Sequence, residues 1–199
     1  MNKEDLALEL FRLGLVKIGK FRLTSGLESP FYIDLKGLIG YPALLREIAT
    51  MLFNTAKEKC AFDMVVGIAT GGIPIVSFIS CLFNIPMAYV RKEKREHGTM
   101  RLVEGDIRKK RVLLVDDVAT TGGSLEKAVK VLRGNEGLID YAIVIVDREQ
   151  GARKRLSALG VKLLSLLTAR ELFQILWKRN IISRDTYELI LNHIKKYES

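Results

Sequence analysis

Residues Val112–Ser124 read VLLVDDVATTGGS. Four apolar residues run into two adjacent carboxylates, Asp116 and Asp117, and then into a loop of Thr, Gly and Ser. Neighbouring side chains on a strand point to opposite faces, so such a pair cannot be buried inside a strand without one acid entering each face. The pair belongs at a strand tip. Beyond it, Gly122 and Gly123 let backbone amides turn inward where a helix begins, and Thr120, Thr121 and Ser124 add hydroxyls. Amides at a helix start, surrounded by hydroxyls, make a cradle for a monophosphate. No Gly-Lys-Ser/Thr follows, which excludes a Walker loop. Acids at the lip of the cradle accept hydrogen bonds from a vicinal diol, so a sugar carrying a 5′-phosphate fits. An acidic pair that holds only a metal, or a fortuitous turn, is the alternative.

Outward from this segment the chain alternates apolar runs with helical periodicity. Asp63–Ile68 (DMVVGI), Met87–Val90 (MAYV), Val112–Asp117, Tyr141–Asp147 (YAIVIVD) and Val161–Leu167 (VKLLSLL) are nearly continuous apolar runs. Such runs mark strands buried on both faces. Gly72–Phe83, Gly123–Arg133 and Ala152–Leu159 read as helices between them. Strands separated by helices predict a doubly wound α/β core with a parallel sheet over residues 42–167. The ends break this rhythm. Residues 1–41 predict a helix at Lys3–Arg12, then short extended pieces punctuated by Gly and Pro. Residues 168–199 predict two amphipathic helices, Ala169–Lys178 and Ser183–Lys196, with Ser183 starting the second. Both ends are expected to form a small hood over the sheet's carboxyl edge, where open parallel sheets bind ligands.

The chain has 199 residues, 48% hydrophobic and 28% charged, enough for a full core and too apolar for a disordered segment. No apolar stretch approaches a membrane span, and Met1–Gly14 carries acids where a secretion signal would be basic and then apolar. Cys60 and Cys81 sit among apolar residues without metal-like spacing, which predicts buried free thiols in a reducing cytosol. The net charge of +9 asks for an anionic partner: nucleic acid, an anionic membrane surface or a polyphosphate substrate. The plainer reading of any one basic cluster is a solvated face.

VLLVDDVATTGGS resembles the phosphoribosyl pyrophosphate (PRPP) signature of type I phosphoribosyltransferases: apolar strand, two acids, Thr/Gly loop. The resemblance implies that Asp116 and Asp117 hold the ribose 2′ and 3′ hydroxyls. Val118, Ala119, Thr120, Thr121, Gly122, Gly123 and Ser124 would then wrap the 5′-phosphate. In VGIATGGIP (Val66–Pro74), Ala69, Thr70 and Gly71 would give amides to a pyrophosphate, and family members often hold a cis peptide in this loop.

Arg91–Gly105 (RKEKREHGTMRLVEG) has no apolar stripe and resembles the catalytic loop of orotate phosphoribosyltransferases, an Arg-Lys-x-x-Lys-x-His-Gly pattern that covers the pyrophosphate. Arg91, Lys92, His97 and Gly98 match. Arg95 stands where the pattern has Lys, replacing a compact ammonium with a planar fork. Phe21–Asp34 (FRLTSGLESPFYID) resembles the same family's N-terminal segment, with Ser25, Gly26, Phe31 and Tyr32 around the base. Thr24 stands where some members carry a Lys that reaches the pyrophosphate. Asp147–Ala152 (DREQGA) matches a segment whose Arg, here Arg148, binds the carboxylate of the base, and Thr120 borders that subsite. A surface Arg148 paired with Glu149 is the plainer reading.

The resemblance implies transfer of a phosphoribosyl group from PRPP to orotate. Lys92, Arg95, His97, Asp116 and Asp117 would be catalytic, and Mg²⁺ would be held at Asp116 and Asp117, directly or through water. It also implies a cytoplasmic homodimer whose loop serves the neighbouring site, with no nucleic-acid or membrane partner. From the residues alone, transfer to another base, such as a purine, and a nucleic-acid-binding regulator on the same fold stay open.

Overall fold

The computed structural model describes residues 1–22, 28–91 and 102–197. Its elements begin with α1 (Lys3–Arg12), β1 (Val16–Arg22), β2 (Glu28–Ile33), a 3-10 turn at Lys36–Gly40 and α2 (Pro42–Lys57). Next come β3 (Met64–Ile68), α3 (Gly72–Phe83), β4 (Met87–Val90), β5 (Val103–Glu104), β6 (Arg111–Ala119) and α4 (Gly123–Gly134). The remainder is β7 (Leu138–Asp147), α5 (Ala152–Ser157), β8 (Lys162–Thr168), α6 (Ala169–Lys178) and α7 (Arg184–Lys195). Among the described residues one sheet runs β5-β4-β3-β6-β7-β8, parallel throughout except for β5 against β4. The chain goes outward from β3 to β4 and returns to the other side of β3 at β6. Such a reversal leaves a crevice beyond the carboxyl ends of the two strands.

Strand alternation sends side chains into two cores. Val65, Leu113, Val115, Ile143 and Ile145 pack on the face covered by α2 and α3. Met64, Val66, Leu114, Ala142 and Val144 pack with α4 and α5 on the other. Helices on both faces make the fold doubly wound. The first core continues into Leu6 and Leu10 of α1, Phe173 of α6 and Ile190 and Ile194 of α7, so the chain ends share it. Lys3 Nζ also donates to Glu171 Oε1 at 2.9 Å, and the Glu171 N–H and the Thr168 side chain cap the start of α6.

Several elements depart from the sequence expectations for identifiable reasons. β6 continues past the acids to Ala119 because β7 pairs with it throughout, as far as Ala119↔Asp147. Val103–Glu104, read as loop, forms β5 by pairing Val90↔Val103 and Tyr89↔Glu104, so the sheet has an antiparallel edge. The expected helices omit α2, although its Leu45, Ile48, Ala49, Leu52 and Ala56 are buried at helical spacing. Cys60 is half-buried, and its thiol donates to the Ala56 carbonyl at 3.3 Å. Cys81 is exposed rather than buried, because it falls off the α3 stripe of Ile75, Val76 and Ile79.

Candidate active site

The cleft forms because two adjacent strands stop at different heights. β3 pairs with β6 only as far as Gly67↔Val115, while β6 runs on beside β7. The space that β3 vacates is filled on one side by its own loop, Ala69–Gly71. The result is a cleft of about 530 Å³ lined by Ala69, Thr70, Gly71, Asp116, Asp117, Val118, Thr120, Thr121 and Ser124, from the tip of β6 and the segments that follow β3 and β6, with Tyr32, Lys36 and Arg148 among its other walls. Ala69–Thr70 is a cis peptide bond.

Alternation separates the two acids. Asp117 lies with the α3 face, and a Cβ added to Gly71 would fall 2.5 Å from its Cγ, so only glycine lets the loop come this close. Asp116 follows the parity of Leu114, toward α4, and is 8% exposed. The Asp117 N–H donates to Asp116 Oδ1 at 3.0 Å, and the Val118 N–H donates to Asp117 Oδ1 at 2.9 Å. These bonds fix both carboxylates at the rim.

Asp116, Val118, Thr120, Thr121 and Ser124 also line an adjoining hollow of about 300 Å³ at the start of α4, completed by Ala119, Gly122, Gly123, Leu125 and Lys127. Gly122 has φ +80°, and a Cβ there would stand 2.9 Å from Ala152 Cα. The loop can thus fold inward onto the helix start, where amide N–H groups favour an anion. Lys127, one helical turn in, adds an ammonium that the motif reading missed; its spacing of four from Gly123 was the available signal.

At the far end of the cleft Arg148 is 4% exposed. Its guanidinium lies 4.8 Å from the Phe31 ring centroid, and Nη2 donates to Ser29 Oγ at 3.4 Å. Its Nε is buried without a partner among the described residues. Burial pulls the Arg148 pKa below the ordinary arginine value, with Tyr197 and Tyr32 opposing. Glu149 does not pair with Arg148: it accepts from the Arg170 N–H at 2.8 Å. Asp147, fully buried, holds the Arg153 Nε at 2.6 Å and the Glu149 N–H at 2.9 Å, anchoring this turn. A buried cation with an unused donor is expensive unless an anion completes it. Its geometry suits a ligand carboxylate.

The structure does not bring every expected residue together. Phe31 is fully buried and packs against the tilted Phe173 ring, 4.8 Å between centroids, so it supports Arg148 from behind and does not face the cleft. Alternation along β2 instead turns Tyr32 outward to line it. Arg91 does not line the cleft; its guanidinium pairs with Glu104 at 2.9 Å and donates to Tyr89 Oη at 3.2 Å, because β4–β5 pairing sets Glu104 beside it. Thr24, Ser25, Gly26, Lys92, Arg95, His97 and Gly98 lie outside the described residues. Ser29, which the sequence reading passed over, is buried against Arg148. Among the described residues no group of three or more His, Cys, Asp or Glu side chains gathers to hold a metal. Two rim carboxylates fit a hard divalent cation that takes its other ligands from phosphate, sugar and water oxygens.

Residues 39–166 match the family model described as phosphoribosyl transferase domain. The chain is similar to an orotate phosphoribosyltransferase of Staphylothermus marinus, 48% identical over 193 residues, covering 97% of this chain and 95% of that one. It is similar to the crystal structure of orotate phosphoribosyltransferase from Aeropyrum pernix, with TM-score 0.78 and 38% identity over 89% of this chain and 99% of that one. It is also similar to the UMP synthase of Leishmania donovani, with TM-score 0.87 and 30% identity, covering 98% of this chain and 42% of that one.

The approach of Gly71 to Asp117 has a measurable consequence. In Gly71→Ala the new methyl displaces the end of a flexible side chain rather than backbone, so thermal stability should hold within a few degrees. Affinity for PRPP should fall about tenfold or more as the diol acceptor moves. Unchanged PRPP binding by calorimetry would separate Asp117 from ligand recognition.

Proposed function

The chain belongs to the phosphoribosyltransferase family, among the orotate phosphoribosyltransferases, and from that premise we propose how its cleft carries out the reaction. The chain transfers the 5-phosphoribosyl group of PRPP to orotate, giving orotidine 5′-monophosphate and pyrophosphate, a step of pyrimidine biosynthesis. The observation that carries our assignment of roles is Arg148, a buried guanidinium that lines the cleft of the acid pair and whose Nε finds no partner among the described residues. Orotate brings the carboxylate that this group needs. A purine base brings none.

In this reading Arg148 orients orotate, with Tyr32 and Thr120 bordering the ring and Ser25 and Gly26 closing around it. Asp116 and Asp117 accept from the ribose hydroxyls. The Thr120–Ser124 loop, with Val118 and Ala119 leading into it, holds the 5′-phosphate against the start of α4. Ala69, Thr70 and Gly71 give backbone groups to the pyrophosphate. The anomeric carbon loses pyrophosphate and bonds to the orotate ring nitrogen through a state of oxocarbenium character, so no covalent nucleophile is required. Catalysis consists of positioning three fragments and stabilising developing charge away from water. Lys92, Arg95 and His97, with Arg91, are assigned by resemblance to the departing pyrophosphate. When bound, Mg²⁺ supplies further neutralisation of the pyrophosphate, and Asp116 and Asp117 are the residues that fit it, directly or through water. This reading includes a cytoplasmic location, as the family resemblance implies. Separately, among the described residues no helix is long and apolar enough to cross a membrane.

Orotate, PRPP and Mg²⁺ should together produce a loss of orotate absorbance that requires all three. No turnover, with steeply salt-sensitive binding of RNA or DNA instead, would favour a nucleic-acid regulator.

The same reading makes the enzyme a homodimer in which Arg91, Arg95 and His97 act on the neighbouring site and Lys92 on its own. Mixing the nearly inactive variants Arg95→Ala and Asp117→Asn tests this. A heterodimer then holds one doubly defective site and one intact site. Random reassortment makes half the dimers heterodimers, so roughly a quarter of wild-type activity should return. A mixture shown to exchange subunits that stays inactive would confine each loop to its own subunit.

A further inference from the structure

Three cations among the described residues line the cleft: Arg22, Lys36 and Arg148. Arg148 is committed to the base end, and Arg22 ends β1 on the hairpin. Lys36 stands elsewhere. It also borders a smaller, apolar hollow of about 160 Å³ with Leu38, Ile39, Pro74 and Ile75, and the two hollows share Thr70 and Gly71. Lys36 therefore flanks the β3–α3 loop.

That loop needs a cation. Ala69–Pro74 (ATGGIP) carries none, and its Gly71 lies against the Asp117 carboxylate. A multiply charged phosphate group seated on the loop would have an acid on one flank. Thr24 removes another lysine that the family resemblance places near the pyrophosphate. Lys36 Nζ donates to Asp34 Oδ1 at 3.2 Å, and the Lys36 N–H donates to the same oxygen at 3.2 Å. Asp34 foremost, with the fields of Asp117 and Tyr32, raises the Lys36 pKa above the ordinary lysine value, so the group is an ammonium at neutral pH. Both partners are well exposed, and pairs of this kind contribute little to stability. Exchanging Asp34 for a phosphate oxygen costs little and gains a stronger charge-assisted bond.

We propose that Lys36 binds the pyrophosphate of PRPP, its ammonium turning from Asp34 to a phosphate oxygen beside Thr70 and Gly71. The assignment rests on the phosphoribosyl-transfer reading above and gives the pyrophosphate a cation outside the Arg91–Gly105 loop.

The test uses the full chain and inorganic pyrophosphate with Mg²⁺, titrated by calorimetry beside steady-state kinetics in both directions. Lys36→Met keeps an aliphatic stem against the apolar hollow and removes the charge. Its pyrophosphate Kd and its KM for PRPP should each rise about tenfold, with the orotate KM moving less than about twofold. Lys36→Arg should recover most of the loss. Unchanged pyrophosphate affinity in Lys36→Met, with normal wild-type binding and turnover, overturns the assignment and leaves the transferase reading intact. Equal rises in both KM values also overturn it, since Lys36 would then act on the whole site. Wild-type protein that binds neither pyrophosphate nor PRPP would overturn both.

Discussion

The backbone of the β3–α3 loop lies so close to the Asp117 carboxylate that any side chain at position 71 would overlap it. This approach sets the geometry of the site. It is possible because β3 ends at Ile68 while its parallel neighbour β6 runs on to Ala119, and because the order in which the chain adds strands reverses at this pair. The loop occupies only part of the vacated space. What remains is bounded by backbone groups on one side and by two rim acids on the other. A pentose with phosphate groups at both ends fits such a space, since each fragment meets a different class of donor or acceptor.

A second constraint comes from the chain ends. The hairpin and the terminal helices share the core of the α2–α3 face, which fixes their position over the sheet. Phe31, pinned between Phe173 and Arg148, shows the consequence. Its ring supports the guanidinium by cation–π contact, so a cation is buried with no carboxylate of the described residues bonded to it. His193 of α7 completes this wall: it meets the Phe31 ring edge-on at 5.9 Å and contacts the Gln150 amide at 3.4 Å. Burial, then Lys196 and Arg148, lower the His193 pKa. A neutral imidazole therefore faces Arg148, and the net positive charge of the subsite is left for the ligand.

The doubly wound core was legible because continuous apolar runs have few alternatives in a soluble chain, and α1, α3 and α6 begin and end where their periodicity does. Strand ends were less legible. β6 and β7 extend beyond their apolar runs because a partner strand, not hydrophobicity, decides where pairing stops. β5, with two residues, is too short to carry a pattern. In the site, the acid pair and the Thr/Gly loop were legible because their chemistry is contiguous in sequence. Lys36, Lys127 and Ser29 were not, because each matters only through what another element sets beside it. The different roles of Phe31 and Tyr32, both expected around the base, follow from simple alternation along β2, a signal present in SPFYI itself.

The central claim is that Arg148, buried and lacking an anion among the described residues, makes the cleft selective for a carboxylate. It is tested most directly by comparing kcat/KM for orotate and for uracil, the same ring without the carboxylate, in the wild type and in Arg148→Ala. The wild type should prefer orotate by about 10⁴-fold or more, because uracil leaves a buried donor unpaired. Arg148→Ala should lose most of that preference by losing orotate activity. A variant that still discriminates as strongly as the wild type would contradict the account.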